Sequence, residues 1–386
     1  MRIGITCYPT YGGSGIVATE LGLELAHRGH EVHFISYASP IRLDVGTPRI
    51  YYHEVEVSNY PLFHYPPYSL ALASRMWEVA DRHKLDLLHV HYAIPHSISA
   101  LLAQQMTTNR HLPFITTLHG TDITLVGADR SYFPITKFSI EQSNGITTIS
   151  EYMEKRTVEF FGVNKPIQVI HNFVNCSLYQ PNEEARAQGR KRIIHVSNFR
   201  PVKRVLDCIH VFAKVRKEVD AELLMAGEGP DWGSAERLAW ELGVNDAVRF
   251  LGKQDHLERL IPQAHVLHLP SEMEAFGLAA LEAMACGVPP VATRTGGVPD
   301  LITHGVDGWM EPVGDRESQA ARIIELLTNP ELHRTMAEAA RTTATSRFCT
   351  DLIIPQYEAY YRKVCESPGT GEAPAVSKVA VRSAGV

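Results

Sequence analysis

The chain has 386 residues, 45% hydrophobic and 21% charged. That is ordinary globular usage and excludes a wholly disordered chain or a coiled-coil rod; at roughly 150 residues per domain it predicts two or three domains. The 37 basic and 43 acidic residues leave a net charge of −6, which argues against a nucleic-acid partner because such proteins carry a basic surplus.

No apolar run reaches the length of about 18 residues that a spanning helix needs. The first residues read as a strand and not as the apolar core of a signal peptide. No membrane partner is therefore expected, and the chain is placed in the cytoplasm. The six cysteines form no CxxC pair, so neither a zinc site nor a redox dithiol is expected, and they read as buried thiols.

Taken in order, the first half alternates apolar strands, at 2–6, 32–36, 87–91, 114–118, 145–149 and 167–170, with amphipathic helices. The helix after the first strand sets Val17, Leu21 and Leu25 four residues apart on one face and stops at Gly29. The run 181–189, rich in Pro, Asn and Glu, reads as a boundary loop. Further strands read at 192–196, 221–226, 248–251, 266–269 and 288–292, with helices near 203–218, 232–242, 277–286 and 315–328. Strand–helix–strand order implies parallel sheets covered on both faces. The fold class is therefore α/β: two doubly wound Rossmann-like domains, 1–170 and 171–345, facing a central cleft. Ile354, Tyr357, Tyr361 and Val364 recur at helical spacing, so 346–366 is expected to be a helix crossing back to the N-terminal domain, and 367–386 a disordered tail. Ligands of such sheets bind beyond the carboxyl ends of the strands.

After the first strand come Gly12, Gly13, Ser14 and Gly15 and then a helix. Backbone N–H groups there can approach a phosphate, helped by the helix dipole. Gly13, Gly15 and Ala18 also match a dinucleotide fingerprint, but strand two ends at Ser36 without the acid that would hold a ribose. A tight turn without a ligand remains the alternative. In the second half Glu274 and Glu282 stand eight residues apart, about two helical turns, with Leu278, Leu281 and Ala285 as the core face. A carboxylate can accept hydrogen bonds from both hydroxyls of a diol, and the N–H groups near Phe276 and Gly277 can bind a hydroxyl or a phosphate oxygen. An ordinary amphipathic helix with acids in its first turns is the alternative.

Glu274 to Glu282, with Phe276, Gly277 and Leu278 inside and Gly296 and Gly297 after, resembles the E-x7-E signature of the retaining GT-B glycosyltransferases of family GT4. The similarity covers everything but the tail. The resemblance implies that Glu282 binds the nucleotide ribose, that Glu274 contacts the donor sugar, and that Lys203 meets the donor β-phosphate. The family arginine five residues before that lysine is Asn198 here, and Arg200 stands as its substitute. The departing diphosphate gains negative charge, so fixed cations stabilise the transition state more than the ground state. Gly12, Gly13, Asn172, Arg204, Phe276, Gly277 and Leu278 complete the implied donor site.

The strings Cys7 to Gly15, His89 to His96 and Thr117 to Asp122 are similar to the members of that family that open bacillithiol biosynthesis. The implied reaction moves N-acetylglucosamine from UDP-N-acetylglucosamine to the hydroxyl of L-malate with retention. His119 then resembles the histidine that hydrogen-bonds the donor sugar, and is counted with Lys203, Glu274 and Arg200 as catalytic. Ser14, Tyr92 and Thr121 are expected to contact the acceptor. Arg42, His91 and His96 stay open as partners of its carboxylates, and Asp122 is expected in a polar network and not as a base. No Asp-x-Asp pair occurs, so no metal and no cofactor is expected. A family member with another acceptor and a non-hydrolysing UDP-N-acetylglucosamine 2-epimerase are the alternatives, and a homo-oligomer is left open.

Overall fold

The computed structural model describes residues 1–367 except 11, 59, 60, 63 and 128. Seven strands build the first sheet: β1 (Arg2–Thr6), β2 (Glu31–Ser36), β3 (Ile50–Glu54), β4 (Leu87–His91), β5 (Phe114–Leu118), β6 (Gly145–Thr148) and β7 (Gln168–Val169). Six build the second: β8 (Lys191–Val196), β9 (Ala221–Ala226), β10 (Val248–Gly252), β11 (Val266–Leu269), β12 (Pro290–Thr293) and β13 (Trp309–Glu311). The orders are β3-β2-β1-β4-β5-β6-β7 and β10-β9-β8-β11-β12-β13, with every pair parallel. Each sheet reverses direction beside its first strand, at β1/β4 and at β8/β11, and a crevice opens at such a reversal.

The sequence pattern misses β3 and β13. The first is an edge strand whose side chains beyond Ile50 stay partly or fully exposed, so it lacks the apolar run of a buried strand. The second has only three residues. The stretch 181–189, expected as a loop, carries the short helix Glu183–Ala187, started by the Asn182 side chain accepting from Ala185 N–H. The helix Pro330–Arg347 was also not expected.

The last helix, Thr350–Glu366, returns to the first sheet. Ile353, Ile354, Tyr357 and Tyr361 share one core with Ile3, Ile5 and Leu21. At about 1.5–3 kcal/mol per fully buried large apolar side chain, these four alone make it a firm attachment. Two polar contacts set its register: Tyr361 Oη lies 2.7 Å from His89 Nδ1, and Tyr360 Oη accepts from Ile146 N–H at 2.9 Å. The tail expected from 367 onward lies, beyond Ser367, outside the described residues.

The chain thus passes twice between the sheets, and the two passages pair. Val174 N–H donates to Phe348 O at 3.0 Å, and Thr350 N–H donates to Val174 O at 3.1 Å. Beside them Cys176 and Cys349 form a disulfide across 173 residues of sequence. This corrects the reading of six isolated thiols: spacing in the sequence shows local pairs only, and here the fold brings distant cysteines together. Cys7, Cys208 and Cys286 are buried free thiols. One apolar core also spans both sheets, joining Leu118, Ile149 and Met153 to Phe276, Leu281 and Met284.

Candidate active site

Between the carboxyl ends of the two sheets lies a cleft of about 260 Å³. Gly12, Gly13, Ile16 and Arg42 line it from the first half; Ser197, Asn198, Lys203, Gly227, Glu228, Glu274, Leu278 and Glu282 are among those from the second. Gly12 precedes the helix Gly13–His27, whose first turn carries no acid, so its N–H groups face the cleft without a competing anion.

Glu274 sits in the loop after β11, and two glycines fix its backbone. A Cβ on Gly296, which has φ +55, would come within 1.8 Å of Glu274 O; one on Gly297 would come within 2.2 Å of Ala275 O. Lys203 Nζ donates to Glu274 Oε1 at 2.6 Å, and Ser271 Oγ donates to the same oxygen at 2.8 Å. One oxygen of the carboxylate is thereby fixed, and the cation stands beside it. Gly277, at φ +95, turns the chain into the helix Leu278–Ala285. That turn puts Leu278 on the cleft wall, while its side chain also packs against the apolar cores of both halves.

One turn on, Glu282 is buried and accepts from Tyr179 Oη at 2.9 Å. Burial pushes its carboxyl up to about 7, against the pull of Arg42 and the Tyr179 hydrogen bond. Arg42 also bonds Tyr179 and lies 3.7 Å from Glu20. Arg42 therefore stands in the cleft beside the Glu282 carboxylate.

Ser14, Tyr92 and Thr121 come together at the first sheet. Tyr92 Oη lies 2.8 Å from Thr121 Oγ1 and also bonds the Ser14 side chain. Tyr92 has φ +82 and stacks on His119, with ring centres 5.6 Å apart. His119 Nε2 is 2.8 Å from His91 Nδ1, and burial pushes the His119 imidazole down to about 3. It stays neutral at pH 7, fit to hydrogen-bond a sugar hydroxyl but not to donate a proton as an imidazolium. His91 and His96 are fully buried and pushed down by burial, and His96 Nδ1 is bound to His91 O. Neutral rings make poor carboxylate partners, so neither fits that expectation. Asp122 accepts from the N–H groups of Ala93, His119 and Gly120 at 3.2, 3.1 and 2.8 Å. Those bonds hold the two loops carrying Tyr92 and His119 together.

Other expected residues lie off the cleft wall. Phe276 is buried, its ring packed on His171 and Phe348, so only its backbone could reach a ligand. Arg204 turns to Asp207 at 2.6 Å. Arg200 is exposed but close enough to act electrostatically on Tyr92. Asn172 is buried with its Oδ1 unpartnered among the described residues.

Comparison with known proteins fits this arrangement. Residues 11–178 match the family described as Glycosyltransferase Family 4, and 179–343 match Glycosyl transferases group 1. An N-acetyl-alpha-D-glucosaminyl L-malate synthase of Bacillus anthracis is 48% identical over 96% of this chain and 99% of its own. This chain belongs to glycosyltransferase family 4. It is a glycosyltransferase of the GT-B fold. Sucrose-phosphate synthase from Thermosynechococcus elongatus superposes with a TM-score of 0.78 at 22% identity, covering 94% of this chain and 98% of that one. Anabaena HepE in complex with UDP and glucose does so with 0.79 at 17% identity, over 94% and 99%. No helix among the described residues is long and apolar enough to cross a membrane.

Sequence reasoning overlooks several residues of this family 4 site. Tyr179 comes from the passage between sheets, and nothing in its neighbourhood marks it. Gly227 and Glu228 follow β9, and Lys253 and Gln254 follow β10; all four line the cleft. The glycine-bearing run Gly227 to Pro230 after a strand is a readable signal of the same kind as Gly12 and Gly13.

Proposed function

We propose that the chain moves N-acetylglucosamine from UDP-N-acetylglucosamine to the hydroxyl of L-malate, with retention and without a metal, in the cytoplasm. The near full-length identity of 48% to an N-acetyl-alpha-D-glucosaminyl L-malate synthase carries this reading. The geometry supports it. The Glu282 carboxylate accepts from the ribose diol, with Tyr179 and Arg42 orienting it. Glu274 accepts from the donor sugar. Lys203, with the N–H groups at Gly12 and Gly13, meets the diphosphate. As the anomeric bond breaks, the electron pair passes to the β-phosphate oxygen, and these fixed positive groups stabilise that charge. The malate hydroxyl enters on the same face and loses its proton to the leaving phosphate. Ser14, Tyr92 and Thr121 hold the acceptor beside His119, and Arg200, which acts electrostatically on Tyr92, adds positive charge toward the β-phosphate in place of the family arginine found as Asn198.

The test is UDP release from UDP-N-acetylglucosamine with and without L-malate in EDTA, with the product's anomeric configuration read by NMR. Malate-dependent, EDTA-insensitive release of an α-product is expected. Release stimulated only by another acceptor removes the malate assignment; a β-product removes the same-face mechanism.

A further inference from the structure

At the edge of the first sheet, away from the cleft, three imidazoles converge. His33 is on β2, His53 on β3, and His83 ends the helix Tyr68–His83. His33 is buried and the other two half-buried, and one ring nitrogen from each lies within 4.8 Å of the others. His33 Nδ1 and His53 Nε2 are 2.9 Å apart. On its other side His33 Nε2 meets Glu31 Oε1 at 2.9 Å. Arg2 binds His83 O at 3.1 Å and so fixes the end of the helix that carries the third ring.

We infer that His33, His53 and His83 form a structural Zn²⁺ site that ties the sheet edge to the helix end. Tetrahedral Zn–N bonds of about 2.0–2.1 Å place ligand nitrogens about 3.3 Å apart. The His33 and His53 nitrogens therefore need to part by about 0.4 Å, and His83, on a helix terminus, moves inward. With Glu31 accepting from His33 Nε2–H, Nδ1 carries the lone pair that would bind the metal; without the ion it accepts from His53 Nε2–H, and His53 ligates after its proton moves to Nδ1, with no net proton lost. A carboxylate behind a ligating histidine sets its tautomer in this way. Ring stacking alone, seen between His33 and Tyr51 at 4.8 Å, needs no such carboxylate. Three imidazoles suit zinc, nickel or copper and not the oxygen-seeking Mg²⁺ or Ca²⁺. Water completes the coordination on the exposed side. None of the three histidines lines the cleft, so this site is independent of the transferase reading.

The test is a Zn²⁺ titration of chelator-stripped full-length protein against a chromophoric competitor. One equivalent is expected to bind wild type, with at least a tenfold weaker affinity in His53→Gln and in His83→Gln, and a smaller loss in Glu31→Gln. Zn²⁺ should raise the melting temperature of wild type and of the control His256→Gln but not of His53→Gln, while transferase turnover stays the same in all. Equal Zn²⁺ affinity in wild type and the two histidine variants overturns the site. Should those variants fail to fold, the Co²⁺ spectrum of wild type decides: absence of the visible bands of a tetrahedral, nitrogen-ligated ion overturns it.

Discussion

Burial holds the Glu282 carboxyl up at about 7 while Arg42 and Tyr179 pull it down. The folded group therefore keeps its proton over a range, from the ordinary carboxylate value to about 7, in which the unfolded group has lost it. Its contribution to stability is full below that range and falls as pH rises through it. On the proposed reading donor binding runs the other way, because only the ionised carboxylate accepts from both ribose hydroxyls. The KM for UDP-N-acetylglucosamine is expected to rise as pH falls through about 7, and Glu282→Gln to remove most of that dependence; an equally steep profile in the variant would assign the titration elsewhere. Lys203 acts on a different quantity. On the proposed mechanism its amine meets charge that grows in the transition state, so Lys203→Ala should lower kcat about a hundredfold or more with a smaller change in donor KM. An unchanged kcat would remove this account of the leaving group.

At the scale of elements, the loop after β11 owes its shape to Gly296 pressed against Glu274 O. A side chain there meets backbone at 1.8 Å and a φ of +55, which an L-residue adopts at a cost of about 1–2 kcal/mol even without the clash. Gly296→Ala should therefore cut turnover at least tenfold through displacement of Glu274, with circular dichroism near wild type; wild-type turnover would show that the loop relaxes. Elements of this kind were legible where the signal is local. Glu274, Glu282, Lys203 and the Gly12–Gly13 turn lie in short strings beside strong strands, and the cleft gathers all of them. Tyr179 was not legible, because it meets Glu282 across 103 residues, and for the same reason Arg42, though named as a candidate cation, could not be paired with them. Phe276 and Leu278, both counted with the donor site, part for a physical reason: Gly277 turns the chain between them, leaving the leucine on the cleft wall and the phenyl ring in the core. Edge strand β3 stayed hidden because exposure on both faces leaves it no periodicity.

Across the whole molecule, contacts over the cleft are unequal. The passages at Val174 and Phe348–Thr350 are paired through backbone and disulfide, and Ser150 Oγ donates to Ala275 O at 2.7 Å. The Gly12–Gly13 turn and Asn198 line opposite walls of the cleft, with Leu278 packed against the core of the first half between them and the paired passages. Such a layout favours rotation about the paired passages, with strands and helices moving as bodies. UDP bridging Gly13 and Lys203 should shrink the radius of gyration in X-ray scattering, and Lys203→Ala should blunt that change. The disulfide then limits unfolding more than closure. A loop of 173 residues predicts a loss of roughly 5 kcal/mol on reduction, by the effect of a cross-link on the unfolded chain. Cys349→Ser should therefore lower the denaturant midpoint while leaving the UDP-induced contraction intact. If the variant keeps its stability but loses the contraction, the covalent link is part of the hinge mechanics and the rotation axis lies elsewhere.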